Sequence, residues 1–305
     1  MPFKSRTVPV KLRIMRALNS RMVLTEKEKK YYFYLEKGYQ GELMFDSMTE
    51  NLHTGYLIIN DVCLEMNNSE FQNDTLLISQ GTIFLFEIKN FEGDFYYDSN
   101  KLYLASGEEV KDPLVQLKRN ETLLRQFLRS LDCHFPIESW VVFINPEFTL
   151  YEASRDLPII FPSQINRFLG TLNRTASKLT NRHIKLAEQL VSAHIVDSPY
   201  SRTRLPSFDY GQLLKGVLCP NSQCLGFMAP KGNRTLMCME CGYEEKMELG
   251  LLRNIEELKL LFPGVKITTN LIFEWCGGVG SKKMVGRVLR ENYHVMGKKK
   301  YTYYE

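Results

Sequence analysis

Asp74, Glu87 and Lys89 stand at positions where two short apolar runs, 74–78 and 83–89, begin or end. Gln80-Gly81 between the runs reads as a tight turn, so the two runs can pair as an antiparallel hairpin. Asp74 lies six residues before Gln80 and Glu87 six after Gly81, which predicts neighbouring cross-strand positions. Side chains alternate along a strand: Phe84, Phe86 and Ile88 share one face, and Ile83, Leu85, Glu87 and Lys89 the other. With both faces apolar, the strand reads as central, and Glu87 and Lys89 project together from its end. Two carboxylates held this close repel unless a cation lies between them. Oxygen ligands with open positions suit Mg²⁺ or Mn²⁺, which can polarise a phosphodiester and lower the pKa of a bound water. Lys89 would orient or deprotonate that water, or stabilise charge on the phosphorus.

The seven cysteines are unevenly placed, with Cys63, Cys133 and Cys276 isolated. Cys219 and Cys224 form one knuckle, Cys238 and Cys241 a second, and thirteen residues with a Gly232-Asn233 turn separate them. Four thiolates on two turns match tetrahedral Zn²⁺ and close its coordination shell, so the expected role is structural. The segment has too little apolar content to fold alone, and metal binding would supply its folding free energy. It resembles a zinc ribbon, with a first knuckle longer than the usual spacing.

Asp74, twelve intervening residues and Glu87-Ile88-Lys89 resemble the Asp…Glu-X-Lys pattern of PD-(D/E)XK nucleases. More narrowly, the segment resembles the NERD (nuclease-related) domain. The residues that carry the likeness are Gly38-Tyr39-Gln40-Gly41-Glu42, Phe71-Gln72-Asn73-Asp74, Gly81-Thr82-Ile83-Phe84, Glu87-Ile88-Lys89-Asn90 with Gly93, and Asp112-Pro113-Leu114-Val115-Gln116. The likeness spans roughly residues 37–150. It implies a restriction-endonuclease-like central sheet flanked by helices, a metal site that includes Glu42, and Gln116 close by. The family's aspartate usually stands between Ile and His; here Asn73 and Thr75 occupy those places.

The elements that must position these groups follow from periodicity and punctuation. Residues 25–52 read as a helix ended by His53-Thr54-Gly55, then 56–64 as a strand and Asn67-Asn68-Ser69 as a turn. A hairpin over 95–97 and 102–104 turns at Ser99-Asn100. Asp112 caps a helix to about 131, with Pro113 at its first position. Strands at 140–144 and 158–161 precede helices near 163–172 and 175–195. The result is a mixed α/β sheet with helices on its faces.

Beyond a Pro- and Ser-rich stretch, 252–261 reads as helical. Thr268 and Ser281 can cap helices over 270–275 and 282–292, and 293–304 reads as a basic, aromatic hairpin. This is the order of a winged helix-turn-helix, and Lys282, Lys283, Arg287, Arg290, Lys298, Lys299 and Lys300 would meet nucleic-acid phosphates.

The expected domains are a basic helical N-terminal extension (1–36), a nuclease-like domain (37–196), a linker (197–213), a zinc ribbon (214–248) and a helix-turn-helix-like basic region (249–305). The formal net charge is +4, with basic residues crowded at both ends of the chain, which suits a polyanion. No stretch is long and apolar enough to cross a bilayer, and residues 1–21 do not read as a signal peptide, so the expected location is the cytoplasm without membrane contact. The function expected is Mg²⁺- or Mn²⁺-dependent hydrolysis of phosphodiester bonds, in DNA as the first candidate, with room for a homodimer or protein partner. The rivals are a non-catalytic nucleic-acid-binding protein on a nuclease fold and a zinc-dependent interaction or regulatory factor.

Overall fold

A computed structural model describes all residues except 53–54, 100, 176, 197, 199–201 and 222–223, and the side chain of Lys300. The helix stop at His53-Thr54, the turn residue Asn100, part of the 197–213 linker, two residues of the first cysteine knuckle and the Lys300 contact therefore lie outside the described residues. In chain order the elements are α1 (Val10–Arg21), α2 (Glu26–Thr49), β1 (Leu57–Met66), β2 (Ser69–Ile78), β3 (Ile83–Lys89), β4 (Gly93–Asp98), β5 (Lys101–Leu104) and β6 (Glu109–Val110). Then come α3 (Pro113–Ser130), β7 (Ile137–Phe143), β8 (Phe148–Tyr151), β9 (Ile159–Ile160), α4 (Ile165–Arg174) and α5 (Asn181–Ser192). The last part holds β10 (Val217–Leu218), β11 (Phe227–Lys231), β12 (Thr235–Cys238), β13 (Glu244–Lys246), α6 (Met247–Leu261), α7 (Thr269–Trp275), α8 (Lys282–Asn292), β14 (Val295–Met296) and β15 (Tyr303–Tyr304). The chain divides into two compact units, Met1–Val8 with Tyr34–Ser198, and Pro9–Phe33 with Pro199–Glu305.

The first unit is a mixed α/β fold around a five-stranded sheet in the order β1-β2-β3-β7-β9. β1, β2 and β3 form an antiparallel meander, and β7 and β9 join in parallel. Asn67 and Asn68, both with positive φ, close the β1–β2 hairpin, a conformation that asparagine tolerates better than most residues. As the alternation requires, Ile83 and Leu85 of β3 lie in the core that Leu117, Leu124 and Leu128 of α3 and Leu186 and Leu190 of α5 complete. Phe84, Phe86 and Ile88 lie in the opposite core with Phe45 of α2 and Ile165, Leu169 and Leu172 of α4. β3 is thus covered on both faces, which is why its sequence is apolar on both.

Several sequence expectations need correction. β2 starts at Ser69, so Asp74 sits in mid-strand rather than at a strand's beginning. β6 and β8 were not expected; they flank β5 and β4 in a second sheet, ordered β6-β5-β4-β8. The helix expected over 175–195 begins only at Asn181, where Thr180 accepts the capping role. The crowded basic N-terminus is also not simply a surface. Phe3 and Lys4 run parallel to β1 and hydrogen-bond its edge, with the Phe3 amide on the Ile58 carbonyl at 2.8 Å and the Asn60 amide on the Lys4 carbonyl at 3.0 Å. The Lys4 ammonium donates to the carbonyls of Asn60 and Asp61. An exposed sheet edge is thereby paired.

In the second unit, β10–β13 form a four-stranded antiparallel sheet that carries the cysteine knuckles. Leu251, Ile255 and Leu258 of α6 and Trp275 of α7 are fully buried. Arg21, at the end of α1, is fully buried as well. Its guanidinium donates to Glu257, Asn254 and the Leu214 and Gly216 carbonyls, and lies 4.1 Å from the centroid of the Trp275 ring. Thr268 and Ser281 cap α7 and α8 through the amides of Leu271 and Met284. Val285, Val288 and Leu289 are the buried side of α8, and the two-residue strands β14 and β15 pair after it. No helix among the described residues is long and apolar enough to cross a membrane.

Candidate active site and metal centre

The β2–β3 register pairs Thr75 with Phe86, so one further step sets Asp74 beside Glu87. Asp74 Oδ2 accepts the Ile88 amide at 2.8 Å, which anchors one oxygen across the hairpin. Glu87 is 1% exposed and Asp74 7%. The Lys89 ammonium donates to Glu87 Oε1 at 2.6 Å and to Gln116 Oε1 at 3.4 Å. Four residues beyond Gln116 on the same face of α3, Asn120 donates to the Gln72 carbonyl at 2.8 Å and reaches Glu87 Oε2 at 3.4 Å. The start of α3 is fixed by Asp112, whose side chain accepts the Leu114 amide at 2.8 Å.

Glu42 enters from α2. Gly41 beside it is a close-approach position: a Cβ there would come within 2.6 Å of Asn90 Cβ, at the end of β3. The Asn90 side chain in turn donates to the Lys37 carbonyl at 2.7 Å, locking the helix to the strand end. Glu42 is held by Arg6, a residue the sequence reading passed over. The Arg6 side chain is 1% exposed. It donates to Asp46 through two nitrogens at 2.9 and 3.0 Å, to Glu42 Oε2 at 2.8 Å, to the Asp74 carbonyl at 2.7 Å and to Thr75 Oγ1 at 3.3 Å. Thr75, one of the two departures from the family pattern, donates to Asn60 Oδ1 at 3.2 Å. Asn73, the other, is fully buried, with no hydrogen-bond partner among the described residues for either amide atom.

Arg6, Asp46 and Asn120 are therefore site neighbours that periodicity and spacing did not reveal. Asn120, four residues after Gln116, was open to detection by helical spacing. Arg6 had no local signal, because its partners lie 36 to 69 residues away.

The electrostatics follow from burial. Removal from water, reinforced by the Asp74 charge, pushes the Glu87 carboxyl up to about 7 and that of Glu42 up to about 8. Burial also raises Asp74, with Lys89 and the Ile88 amide opposing. Burial works against charge on Lys89, but Glu87 and Asp74 outweigh it, and the ammonium is held above its ordinary value. For Arg6 the burial penalty is likewise overcome, by the bond to Asp46 and the charges of Glu42, Asp46 and Asp74. A divalent cation fits here: Asp74 and Glu87 are adjacent hard oxygen donors, and their mutual repulsion is what a cation would relieve.

In the second unit, Sγ atoms of Cys219, Cys224, Cys238 and Cys241 all lie within 4.8 Å of one another, the one such group of three or more metal-ligand side chains among the described residues. Cys219 and Cys241 approach to 3.6 Å, and Cys224 and Cys238 to 3.5 Å. Gly226 cradles the cluster, since a Cβ there would meet Glu240 at 2.6 Å and Cys238 Sγ at 3.0 Å. Burial pushes the Cys238 thiol up, but the amides of Cys241 and Glu240 draw it down to about 7, toward the thiolate that a metal needs. This four-cysteine cluster can hold a metal ion in the manner of a zinc ribbon.

Lys282, Lys283, Arg287 and Arg290 of α8, and Lys298 and Lys299 of the following turn, are all exposed. Arg287 is paired with Glu248, and the Lys282 ammonium lies 5.6 Å from the centroid of the Phe273 ring. The first unit also has a cavity of about 840 Å³ at the Gln80-Gly81 end of β3, lined by Phe84, Trp140, Arg167 and Phe168. None of Glu42, Asp74, Glu87 and Lys89 lines it.

Comparison with known families agrees with the residue-level reading: the family model of the nuclease-related domain (NERD) matches residues 37–144. No curated protein and no solved structure matches the chain.

Proposed function

We propose that this chain, with a nuclease-related domain in its first unit, is a metal-dependent nuclease that hydrolyses phosphodiester bonds in DNA. The observation that carries the reading is the buried Asp74–Glu87 pair with the half-buried Lys89 on it, at one end of a covered strand, with Gln116 and Asn120 behind. Charged groups are kept out of water at a cost that only pairing or a bound cation offsets. Asp74 and Glu87 would hold Mg²⁺ or Mn²⁺, which when bound supplies Lewis-acid polarisation of the phosphate and a more acidic water. Lys89 stands on Glu87 where it can orient the attacking water or meet the charge that develops on the phosphoryl oxygens. Gln116 and Asn120 hold Lys89 and Glu87 in place from α3. Glu42 assists at the α2 side of the site.

The cysteine cluster serves as a structural Zn²⁺ ribbon, and the exposed lysines and arginines of α8 and its hairpin contact phosphates. One observation favours the rival, non-catalytic reading: Lys89 and Arg6 already neutralise Glu87 and Glu42 internally.

A cleavage assay separates the two. Supercoiled plasmid, linear duplex, single-stranded DNA and RNA are incubated with Mg²⁺ or Mn²⁺ and wild-type, Asp74→Ala or Lys89→Ala protein. The expected result is DNA cleavage that falls by about 10³-fold or more in both variants, as for loss of groups that act only in the transition state. Salt-sensitive DNA binding without cleavage by the wild type would favour the binding-protein reading, or a missing activating partner, instead.

A further inference from the structure

Arg6 lies outside the segment that matches the nuclease-related family, yet it is the most heavily engaged cation of the site. We propose that Arg6 permanently occupies one of two cation places in the carboxylate cluster, so that the site takes a single divalent ion. The inference rests on the metal-dependent reading above and sharpens it.

Glu42, Asp46, Asp74 and Glu87 bring four carboxylates, and Arg6 and Lys89 bring two fixed cations; farther out, Asp61 and Lys4 offset each other, and Lys111 is exposed and screened. Two negative charges remain when all are ionised, which one divalent ion balances. Position says where that ion goes. Arg6 takes both Asp46 oxygens and one oxygen of Glu42, the α2 half of the cluster. Asp74 Oδ1 and Glu87, the hairpin half, make no bond to it. The guanidinium is also tied to the Asp74 carbonyl and Thr75 hydroxyl of β2, so it cannot swing away without breaking bonds to three side chains and the main chain. A second divalent ion at Glu42 and Asp46 would have to sit against this buried positive charge, and like charges that close repel strongly where water screens them poorly. Displacing Arg6 would leave it buried and unpaired, which is costlier still.

The segment's path explains how the group is delivered. Phe3 and Lys4 pair with the edge of β1, and two residues later Arg6 reaches the carboxylates. The N-terminal residues are thus a positioning element of the site.

The test counts metal ions rather than turnover. Full-length protein, with its cysteine site loaded, is titrated with Mn²⁺, and bound ions are counted by calorimetry and by loss of the free-ion EPR signal. An Asp74→Asn/Glu87→Gln variant provides the background. The wild type should bind one Mn²⁺ above that background. Arg6→Gln should bind a second one, and Arg6→Lys, which keeps the charge, should return to one. Two ions bound by the wild type would overturn the proposal without any substitution at Arg6, even if Arg6→Gln failed to fold. A folded Arg6→Gln protein that still bound one ion would overturn it too. No Mn²⁺ above background in the wild type would instead remove the metal-dependent reading on which the proposal stands.

Discussion

Two places in the molecule gather side chains with metal-binding chemistry, and they do so with opposite degrees of closure. The four cysteines converge within 4.8 Å on two turns of a small sheet. The carboxylates do not converge in this way; each is held by the protein itself, Asp74 by an amide, Glu87 by Lys89 and Asn120, and Glu42 by Arg6. A site whose ligands all point at one another has no position left for a substrate, which is the design of a structural ion. Carboxylates each held by a separate protein group, at a raised pKa and beside a tethered lysine, would leave positions open for a substrate if they took an ion. The contrast predicts that metal removal will do different things at the two sites: loss of structure at one, loss of function at the other.

The largest effect should come from the cysteine side. The second unit's sheet is short, with strands of two to five residues, and its knuckles would depend on the metal for their hold on one another. Elemental analysis should find one zinc per chain, and strong chelation should remove on the order of 10 kcal/mol from the second unit, comparable with small zinc modules. Calorimetry should then show its transition moving far down while that of the first unit holds. Purified protein without zinc, or two transitions that ignore the chelator, would break the comparison at its stronger end.

On the carboxylate side, the corresponding change is smaller and leaves the fold intact. Asn120→Ala removes the donor to Glu87 and to the Gln72 carbonyl without removing a proposed ligand. Mn²⁺ affinity should fall by about 10–100-fold, the usual cost of losing a group that orients a metal ligand. An unchanged calorimetric Kd in a folded variant would show that α3 only packs against the site.

What could be read from the sequence, and what could not, divides along the same physical line. The Gln80-Gly81 turn fixes a local register, and a local register is enough to bring Asp74 and Glu87 together. Asp112, Thr268 and Ser281 sit where capping chemistry demands, and all three accept the expected amide hydrogen bonds. The four cysteines are two local turns, each legible from its spacing. Missing were the features that depend on distant pairing. β8 is a four-residue strand whose existence depends on β4, some fifty residues earlier, and it carries no strong alternation of its own. Arg6 looked like one more residue of a basic terminus, and so did Arg21; their burial is decided by carboxylates and carbonyls far along the chain. Composition read these arginines as surface because charge is normally exposed, and the exceptions are the paired ones.

Acidity offers a way to tune the open site without touching its residues. Glu87 titrates near 7, raised above the ordinary 4.5 first by burial and then by Asp74. A metal requires the ionised carboxylate, so below about pH 7 Mn²⁺ affinity should weaken by about tenfold for each pH unit. Stability of the metal-free chain should move the other way. A carboxyl raised in the folded state binds protons more readily there than in the unfolded chain. Its stabilising contribution is complete below about pH 4.5 and is lost as the pH rises through about 7, with Glu42 extending the loss toward 8. Melts from pH 5 to 8 should therefore show a falling Tm without Mn²⁺ and a Mn²⁺-induced rise that grows with pH. A Mn²⁺-induced rise that is the same at pH 5.5 and pH 8 would place the bound ion away from these carboxylates.

The smallest effect separates two residues of one helix in the second unit. Lys283 and Arg287 of α8 are both exposed, but the Arg287 guanidinium is committed to Glu248. A phosphate contact releases condensed counterions, and its loss lowers the slope of log affinity against log salt by about one. Lys283→Ala should therefore weaken duplex binding a few-fold, uniformly across sequences, with that change in slope. Arg287→Ala should do less, because the phosphate must compete with a carboxylate already in place and the exposed pair is worth only about 0–1 kcal/mol by itself. Titrations of both variants at several salt concentrations read the difference directly. Equal slopes for Lys283→Ala and wild type would take α8 out of the nucleic-acid surface, and leave the tail's role to the protein-contact reading.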